Sequence, residues 1–406
     1  MARQGRVARQ RRAVSYDALI IGAGPAGATA ALVLAKAGWS VAIVERAAFP
    51  RRKVCGEFIS ATSLPLLHEL GVAQEFLARA GPEVRRVGLF AGEEILSAAM
   101  PTGAGAACGR ALGREHLDLM MLDAAVGAGA TLWQPWSAVA LTPTRAGRTC
   151  TVAAKDRTRE LLARAVILAH GSWEPGRLPS QAARPHHPSD LLAFKAHFTG
   201  SALAADLMPL LVFPGGYGGM VHSDGGRVTL SCCIRRDVLQ RCRAQAAGVP
   251  AGDAVLRHIF ASCAGVRDAL ARAQRVGAWL SAGPIRPGIR PRHADGAFFA
   301  GNSAGEAHPI VAEGISMAMQ SAWLLARAFA ARGTEPQGGH AAAARDYAAA
   351  WAKHFAPRVR AASVFAHVAM RPDKARPLLP LIRTFPAILT LGARLSGKIT
   401  QVVAAA

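Results

Sequence analysis

Three glycines, Gly22, Gly24 and Gly27, stand in the spacing G-x-G-x-x-G, with Pro25 and Ala26 filling the last gap. The chemistry that suits this pattern is the gripping of a diphosphate. Gly22 permits a tight turn, Gly24 lets phosphate oxygens approach bare backbone, and Gly27 lets the following helix lie close to a sheet. Free amides in the first turn of that helix, together with the positive end of its dipole, supply the donors. About twenty residues on, Glu45 is placed to accept both hydroxyls of an adenosine ribose. The motif by itself leaves FAD and NAD open.

A second group of reactive side chains follows in Arg51-Arg52-Lys53-Val54-Cys55-Gly56-Glu57. Adjacent cations bind phosphate or steer an anionic hydride donor. Cys55 is a proton-donor candidate or a packing group: a basic setting lowers a thiol pKa and burial raises it. Glu57 and His308 are further acid or base candidates, against the alternative of satisfied structural groups. Phe213-Pro-Gly-Gly-Tyr217-Gly-Gly219 combines an aromatic edge with bare backbone, suited to holding a flat or chain-like apolar substrate against a planar ring. A plain glycine-rich hairpin accounts for the same residues. The seven cysteines form an odd set with no C-x-x-C pair and no metal-ligand spacing, so neither a metal site nor a disulfide framework is expected.

The elements that must position these groups are legible in outline. Asp17-Ala-Leu-Ile-Ile reads as a buried parallel strand, Pro25 to Lys36 as a helix closed by Gly38, and Ser40 to Glu45 as a second strand, a right-handed crossover unit. One helix is expected over Ala61 to Ala80, short strands over Val84 to Met100, a helix over Arg114 to Gly127, and strands at 131–141, 149–154 and 163–169. From Leu191 to Trp279, apolar segments cut by Gly, Pro and Asp read as antiparallel strands joined by turns. Gly296 to Gly301 returns to the first sheet, and a helical tail from Ala342 carries an apolar, proline-interrupted stretch at 377–391.

With these motifs in hand, the chain resembles the geranylgeranyl reductase and FixC-like branch of the para-hydroxybenzoate hydroxylase superfamily, over about Tyr16 to Arg327. The resemblance implies FAD, with the ADP half on the early glycines, Glu45 and Arg46 at the adenosine ribose, and Arg114 near the pyrophosphate or ribityl region. Arg52 and Lys53 belong to a segment similar to the family's K-x-C-G run beside the isoalloxazine, and Gly171 to its glycine turn after Val166-Ile-Leu. The late run Ala300-Gly301-Asn302 through Pro309 to Gly314-Ile315 resembles the segment that binds the ribityl chain and turns a helix N-terminus toward the flavin pyrimidine, where positive potential stabilises charge developing on reduction. Two departures stand out. Asn302 replaces the family's acid, keeping a hydrogen-bonding amide but losing a charge, and His170 stands where the hydroxylases carry Asp.

The implied fold is α/β. It consists of a discontinuous Rossmann-like FAD-binding domain (16–83, 109–186, 285–335), an inserted antiparallel-sheet α+β substrate domain (84–108, 187–284), and a helical C-terminal region (336–406). A disordered basic arm over 1–15 is expected to precede them. The implied activity is an FAD-dependent oxidoreductase acting on an apolar lipid-, isoprenoid- or polyketide-like substrate, as hydroxylase or as hydride-transferring reductase. The alternative is a flavoprotein serving another protein. Gly103-Ala-Gly105 lacks a preceding strand, so NAD(P)H is expected as a transient electron donor rather than the occupant of a second domain. The Trp-x-Trp-x-Ile-Pro run of tryptophan halogenases is missing.

The 406 residues carry a formal charge of +22 but only 6% aromatics, spread without a nucleic-acid-binding signature, so no specific nucleic-acid partner is expected. An acidic protein or an anionic membrane surface fits the charge better. Cytoplasmic residence, with peripheral membrane contact as a variant, completes the expectation.

Overall fold

The computed structural model describes residues 14–102, 107–333 and 338–403. The arm up to residue 13 and the Gly103–Gly105 loop lie outside the described residues. Val14 and Ser15, assigned by sequence to the arm, instead open strand β1 (Val14–Ile21), where they pair with Leu161 and Leu162 of a long neighbouring strand. Helix α1 (Pro25–Lys36) and β2 (Val41–Val44) follow; all four β2 residues are buried, as a parallel strand covered on both faces requires. After β3 (Phe58–Ile59), the single helix expected over 61–80 is broken into α2 (Leu64–Leu70) and α3 (Ala73–Arg79). Gly71, at φ 81°, takes the left-handed conformation that ends α2.

The hairpin β4 (Arg86–Ala91) and β5 (Glu94–Ala99) leads by β6 (Arg110–Ala111) to α4 (Arg114–Gly127). The strand expected over 131–141 is two, β7 (Thr131–Trp133) and β8 (Ser137–Thr144), interrupted at Pro135, which has no backbone N–H to extend a ladder. Strands β9 (Gly147–Ala154) and β10 (Arg157–Leu168) complete this segment. The first sheet later gains β17 (His293–Ala294) and β18 (Ala297–Phe299) and runs β17-β18-β10-β1-β2-β7, with β10, β1, β2, β7 and β18 parallel at its centre.

The second sheet runs β15-β11-β14-β13-β12-β4-β5, built from β11 (Leu191–Thr199), β12 (Leu207–Phe213), β13 (Gly216–His222), β14 (Val228–Arg235) and β15 (Gln274–Ile285) with the earlier hairpin at its edge. It is antiparallel except where β12 meets β4. Between β14 and β15 stand three helices, α5 (Arg236–Gln245), α6 (Ala251–Ser262) and α7 (Ala264–Leu270), where the sequence suggested only strands and turns. The Pro and Asp punctuation there marks helix starts: Pro250 precedes α6, and Asp237 and Asp253 lie in first turns, where they complement the helix dipole.

Two-residue strands β16 (Gly288–Ile289) and β19 (Gly305–Glu306) pair beside the start of α8 (Gly314–Ala330). Helices α1, α4 and α8 pack on the first sheet around Ile20, Ile43, Leu32, Met121 and Met319. Burying each such side chain contributes roughly 1.5–3 kcal/mol. The tail is α9 (Gly338–Ala369), which packs on α8, followed by α10 (Pro372–Ala375), α11 (Leu379–Thr384) and α12 (Ala387–Leu395); α12 lies against β4 and β5. Ligands of open α/β sheets sit outside the carboxyl ends of the parallel strands, and here the ends of β1, β2 and β10 meet one large cavity.

Candidate active site

The cavity, about 860 Å³, begins at the early glycines. Gly22 sits at φ 104° with Ala169 O only 2.6 Å from where a Cβ would stand, and a Cβ on Gly27 would meet Gly22 O at 1.8 Å. These two glycines serve the contact between helix and sheet. Gly24 differs: its nearest neighbours would be the guanidinium nitrogens of Arg114 and Arg51, at 3.7 and 3.9 Å. Helix α1 begins with no side-chain cap and no acidic residue in its first turn, so its amides face the cavity unanswered. Buried Arg51 Nε has no hydrogen-bond partner. An orphaned cationic donor, open backbone at Gly24 and a bare helix N-terminus are what a diphosphate needs, and the residues present fit FAD's ADP half.

Glu45, 3% exposed, accepts from Ala23 N at 2.9 Å, Ala47 N at 2.8 Å and Arg51 Nη1 at 3.2 Å. A carboxylate has about four lone-pair sites, so capacity for a ribose hydroxyl remains. Arg46 and Lys53 both line the cavity and both pair with Glu174. Burial, and then the charges of Arg51 and Arg114, push the Lys53 ammonium down to about 8. Arg114 is held by two hydrogen bonds to Asp118, at 2.6 and 2.8 Å. Arg52, singled out from the cation run, points instead to Glu115 at 3.6 Å and does not line the cavity. Its neighbour Arg51 occupies the inner position, since consecutive residues of an extended segment face opposite ways.

The late motif supplies the far wall. Gly301 takes φ 61°, Gly171 and Gly314 both have open space where a Cβ would stand, and Gly171, Asn302, Pro309, Gly314 and Ile315 line the cavity. Helix α8 also starts with no acidic residue in its first turn. Buried Glu313 precedes it, but its charge is answered by Lys398 Nζ at 2.6 Å, while Ser60 donates from 3.1 Å. Asn302 Nδ2 donates to Glu306 Oε1 at 3.0 Å. Glu306 also accepts from Ser172 Oγ at 2.7 Å and lies 3.4 Å from Arg290; burial raises its pKa. The carboxylate that position 302 lacks thus stands four residues on, at a residue sequence reasoning passed over although it lay inside the recognised run. His170, at the end of β10, also lines the cavity, and burial pushes its pKa down to about 4, leaving a neutral ring.

Among the proposed acid and base groups, Tyr217 and His308 come together: Tyr217 Oη is 3.1 Å from His308 Nδ1, bringing β13 to the end of the late motif. Burial raises the Tyr217 pKa and pushes His308 down to about 4, so both are neutral near pH 7. Cys55 lines the cavity and its Sγ accepts from Glu57 N at 3.4 Å. Glu57 lines the cavity as well. It is fully buried at φ 63°, paired with Lys195, and takes hydrogen bonds from His197 Nε2 at 2.9 Å and Thr229 Oγ1 at 2.5 Å. Burial pushes its pKa up, but His197 and Lys195 outweigh burial and hold the carboxylate well below its usual range. A carboxylate held by three partners on the second sheet ties the segment before β3 to that sheet.

The sequence of the chain matches the FAD binding domain family over residues 15–352. It is 31% identical over 161 residues to a menaquinone reductase of Mycobacterium tuberculosis, a match covering 40% of this chain and 39% of that protein's length. Its fold is similar to that of a flavin-dependent brominase, with a TM-score of 0.73 and 19% identity over 95% of this chain and 94% of that one. It is also similar to a geranylgeranyl bacteriochlorophyll reductase-like protein of Thermoplasma acidophilum, with a TM-score of 0.69 and 18% identity over 96% and 94%. At those identities the likeness is one of fold alone. With the glycine cradle, its orphaned cation and a match spanning both sheets, the chain belongs to the FAD binding domain family of para-hydroxybenzoate hydroxylase-like flavoproteins.

Proposed function

We propose that this chain is an FAD-dependent oxidoreductase that reduces an apolar, chain-like substrate of isoprenoid or isoprenoid-quinone type, with NAD(P)H as a transient electron donor. One observation carries the reading. A single cavity runs from the cationic glycine cradle, past the α8 N-terminus, into a chamber walled by Val212, Ile285, Ile310 and Ile382 whose polar groups include the Tyr217–His308 pair. When bound, FAD supplies the two-electron carrier and the hydride. The chain's own residues do the rest. Arg51, Arg114 and the α1 amides fix the diphosphate, and the apolar walls orient the substrate and exclude water. Tyr217 Oη holds the proton that balances hydride addition to a double bond, and His308 Nδ1 orients that hydroxyl. The likeness to a menaquinone reductase supports a substrate of this class.

The test uses the purified yellow protein without oxygen. NADH or NADPH should bleach the flavin band, and a polyprenyl quinone or polyprenyl alkene should restore it with formation of reduced product, identified by mass spectrometry. Recovery only when air is admitted, with a hydroxylated product, would assign oxygenation instead. A chain that takes up no FAD would end the reading altogether.

A further inference from the structure

Among the described residues, more than half of the bulky apolar side chains left exposed fall between 364 and 399. Leu381 is 50% exposed, Phe385 58%, Leu391 54% and Leu395 56%. Their spacing is helical: Leu381 and Phe385 are four apart at the end of α11, and Leu391 and Leu395 four apart on α12. A surface helix normally turns its apolar stripe inward and its polar stripe outward. These two helices have an inner apolar stripe, Ile382, Ile388 and Leu389, which lines the cavity, and a second apolar stripe facing outward. Nothing in the folding of the chain requires the second.

The charge along this segment is predominantly positive, with Arg383 lying 3.4 Å from Glu94 of β5. Lys374, Arg376, Arg383 and Arg394 are exposed along the same segment, against the single acid Asp373 between residues 371 and 403. The stretch Pro372–Thr384, which ends in α11, meets α12 at 119°, and no single described helix is long and apolar enough to cross a membrane. Bulky apolar residues interleaved with cations on short helices suit the plane of a bilayer surface, where side chains enter the acyl boundary and cations meet anionic headgroups. The cavity opens at this surface: Val364, 61% exposed, and Leu378, 42% exposed, are at once cavity wall and protein exterior.

The geometry points to α11 and α12 as a docking element for an anionic phospholipid surface, through which a lipid-soluble substrate passes directly between the bilayer and the cavity. The assignment rests on the reading of the cavity as the site of an apolar substrate, but binding to lipid can be measured without turnover. The occupant is a bilayer rather than a protein because the patch joins a cavity mouth to a positive field, and water is a poor route for an isoprenoid chain.

The experiment is co-sedimentation of the full flavin-loaded protein with phosphatidylcholine vesicles, with and without one-quarter phosphatidylglycerol. Binding is expected to be at least tenfold stronger with the anionic lipid and to weaken in high salt. The double variant Leu381→Glu, Phe385→Asp should lose tenfold or more of this binding while keeping its flavin spectrum and melting temperature, which shows that it folds. A charge variant, Arg376→Glu with Arg394→Glu, should lose the preference for anionic lipid. Reduction of a water-soluble short-chain quinone should be unchanged in both variants, whereas reduction of a long-chain quinone presented in vesicles should fall with the binding. Failure to sediment with either vesicle, binding indifferent to the four substitutions, or a concentration-dependent dimer that buries the patch would each overturn the proposal. Loss of flavin uptake in the unsubstituted chain would instead count against the cofactor reading.

Discussion

The two ends of the cavity are built on different principles. At the nucleotide end the working parts are backbone amides, absent side chains and a short run of cations, all within residues 22–53 apart from Arg114. At the substrate end, Tyr217 from β13, His308 from the late motif, Ile382 from α11 and Leu389 from α12 converge from segments separated by up to about 170 residues of chain. A diphosphate is recognised by charge and by closeness of approach, which a turn and a helix start supply locally. An apolar substrate is recognised by the shape of a wall, which many distant side chains must share. The first end leaves little room for change of residue size, whereas on the proposed reading the second sets which substrate is taken.

Substitutions at the two ends should separate these principles. The largest effect is expected where the ends are tied together: Glu57→Gln leaves Lys195 buried without its counter-charge, and breaking such a pair costs about 3–5 kcal/mol, read as a lowered midpoint in chemical denaturation. An unchanged midpoint would remove Glu57 from its structural role. At the nucleotide end, Gly24→Ala sets a Cβ at ordinary van der Waals distance from the Arg114 and Arg51 guanidinium groups, so the fold should hold while FAD affinity falls roughly 100-fold, about 2.7 kcal/mol, by fluorescence titration. Gly27→Ala is the contrast, because it meets backbone at 1.8 Å and should destabilise the fold itself. Equal behaviour of the two variants would collapse the distinction.

At the substrate end, Tyr217→Phe should leave flavin content intact and lower the rate of substrate reduction by roughly tenfold to thirtyfold, measured in single turnover. A loss of flavin in this variant would mean that the two ends are not independent. The smallest effect is one of pH. His170 and His308 have folded-state pKa values lowered to about 4, below the ordinary value of about 6.5. Between those values the unfolded chain binds more protons, so the stability that is fully present above pH 6.5 is lost as pH falls toward 4. Each histidine should remove about 1 kcal/mol between pH 7 and 5.5. Replacing His170 by Asn should flatten the slope of denaturation midpoint against pH by one histidine's share.

What was legible in the sequence followed the range of the interactions. Strand β1, helix α1 and strand β2 with their glycines declare themselves within some thirty residues, because turn geometry, helix start and buried strand are each set by near neighbours. Helix α4 is read to the residue for the same reason. Helices α5, α6 and α7 were missed because their short apolar stripes, cut by Pro and Asp, look like turns until packed on a sheet.

The site divides in the same way. The glycine cradle and the diphosphate it grips were determined by the sequence alone, since a missing Cβ and a fixed spacing act through the local backbone, whereas FAD rather than NAD followed only from the resemblance over the rest of the chain. Which cation of Arg51-Arg52-Lys53 turns inward, that Glu57 is a buried tie while Glu306 stands beside Asn302, and that Tyr217 meets His308 across 91 residues were decided only by the tertiary structure. Burial, charge pairing and the shape of a wall are properties of segments brought together, and no stretch of sequence contains them by itself.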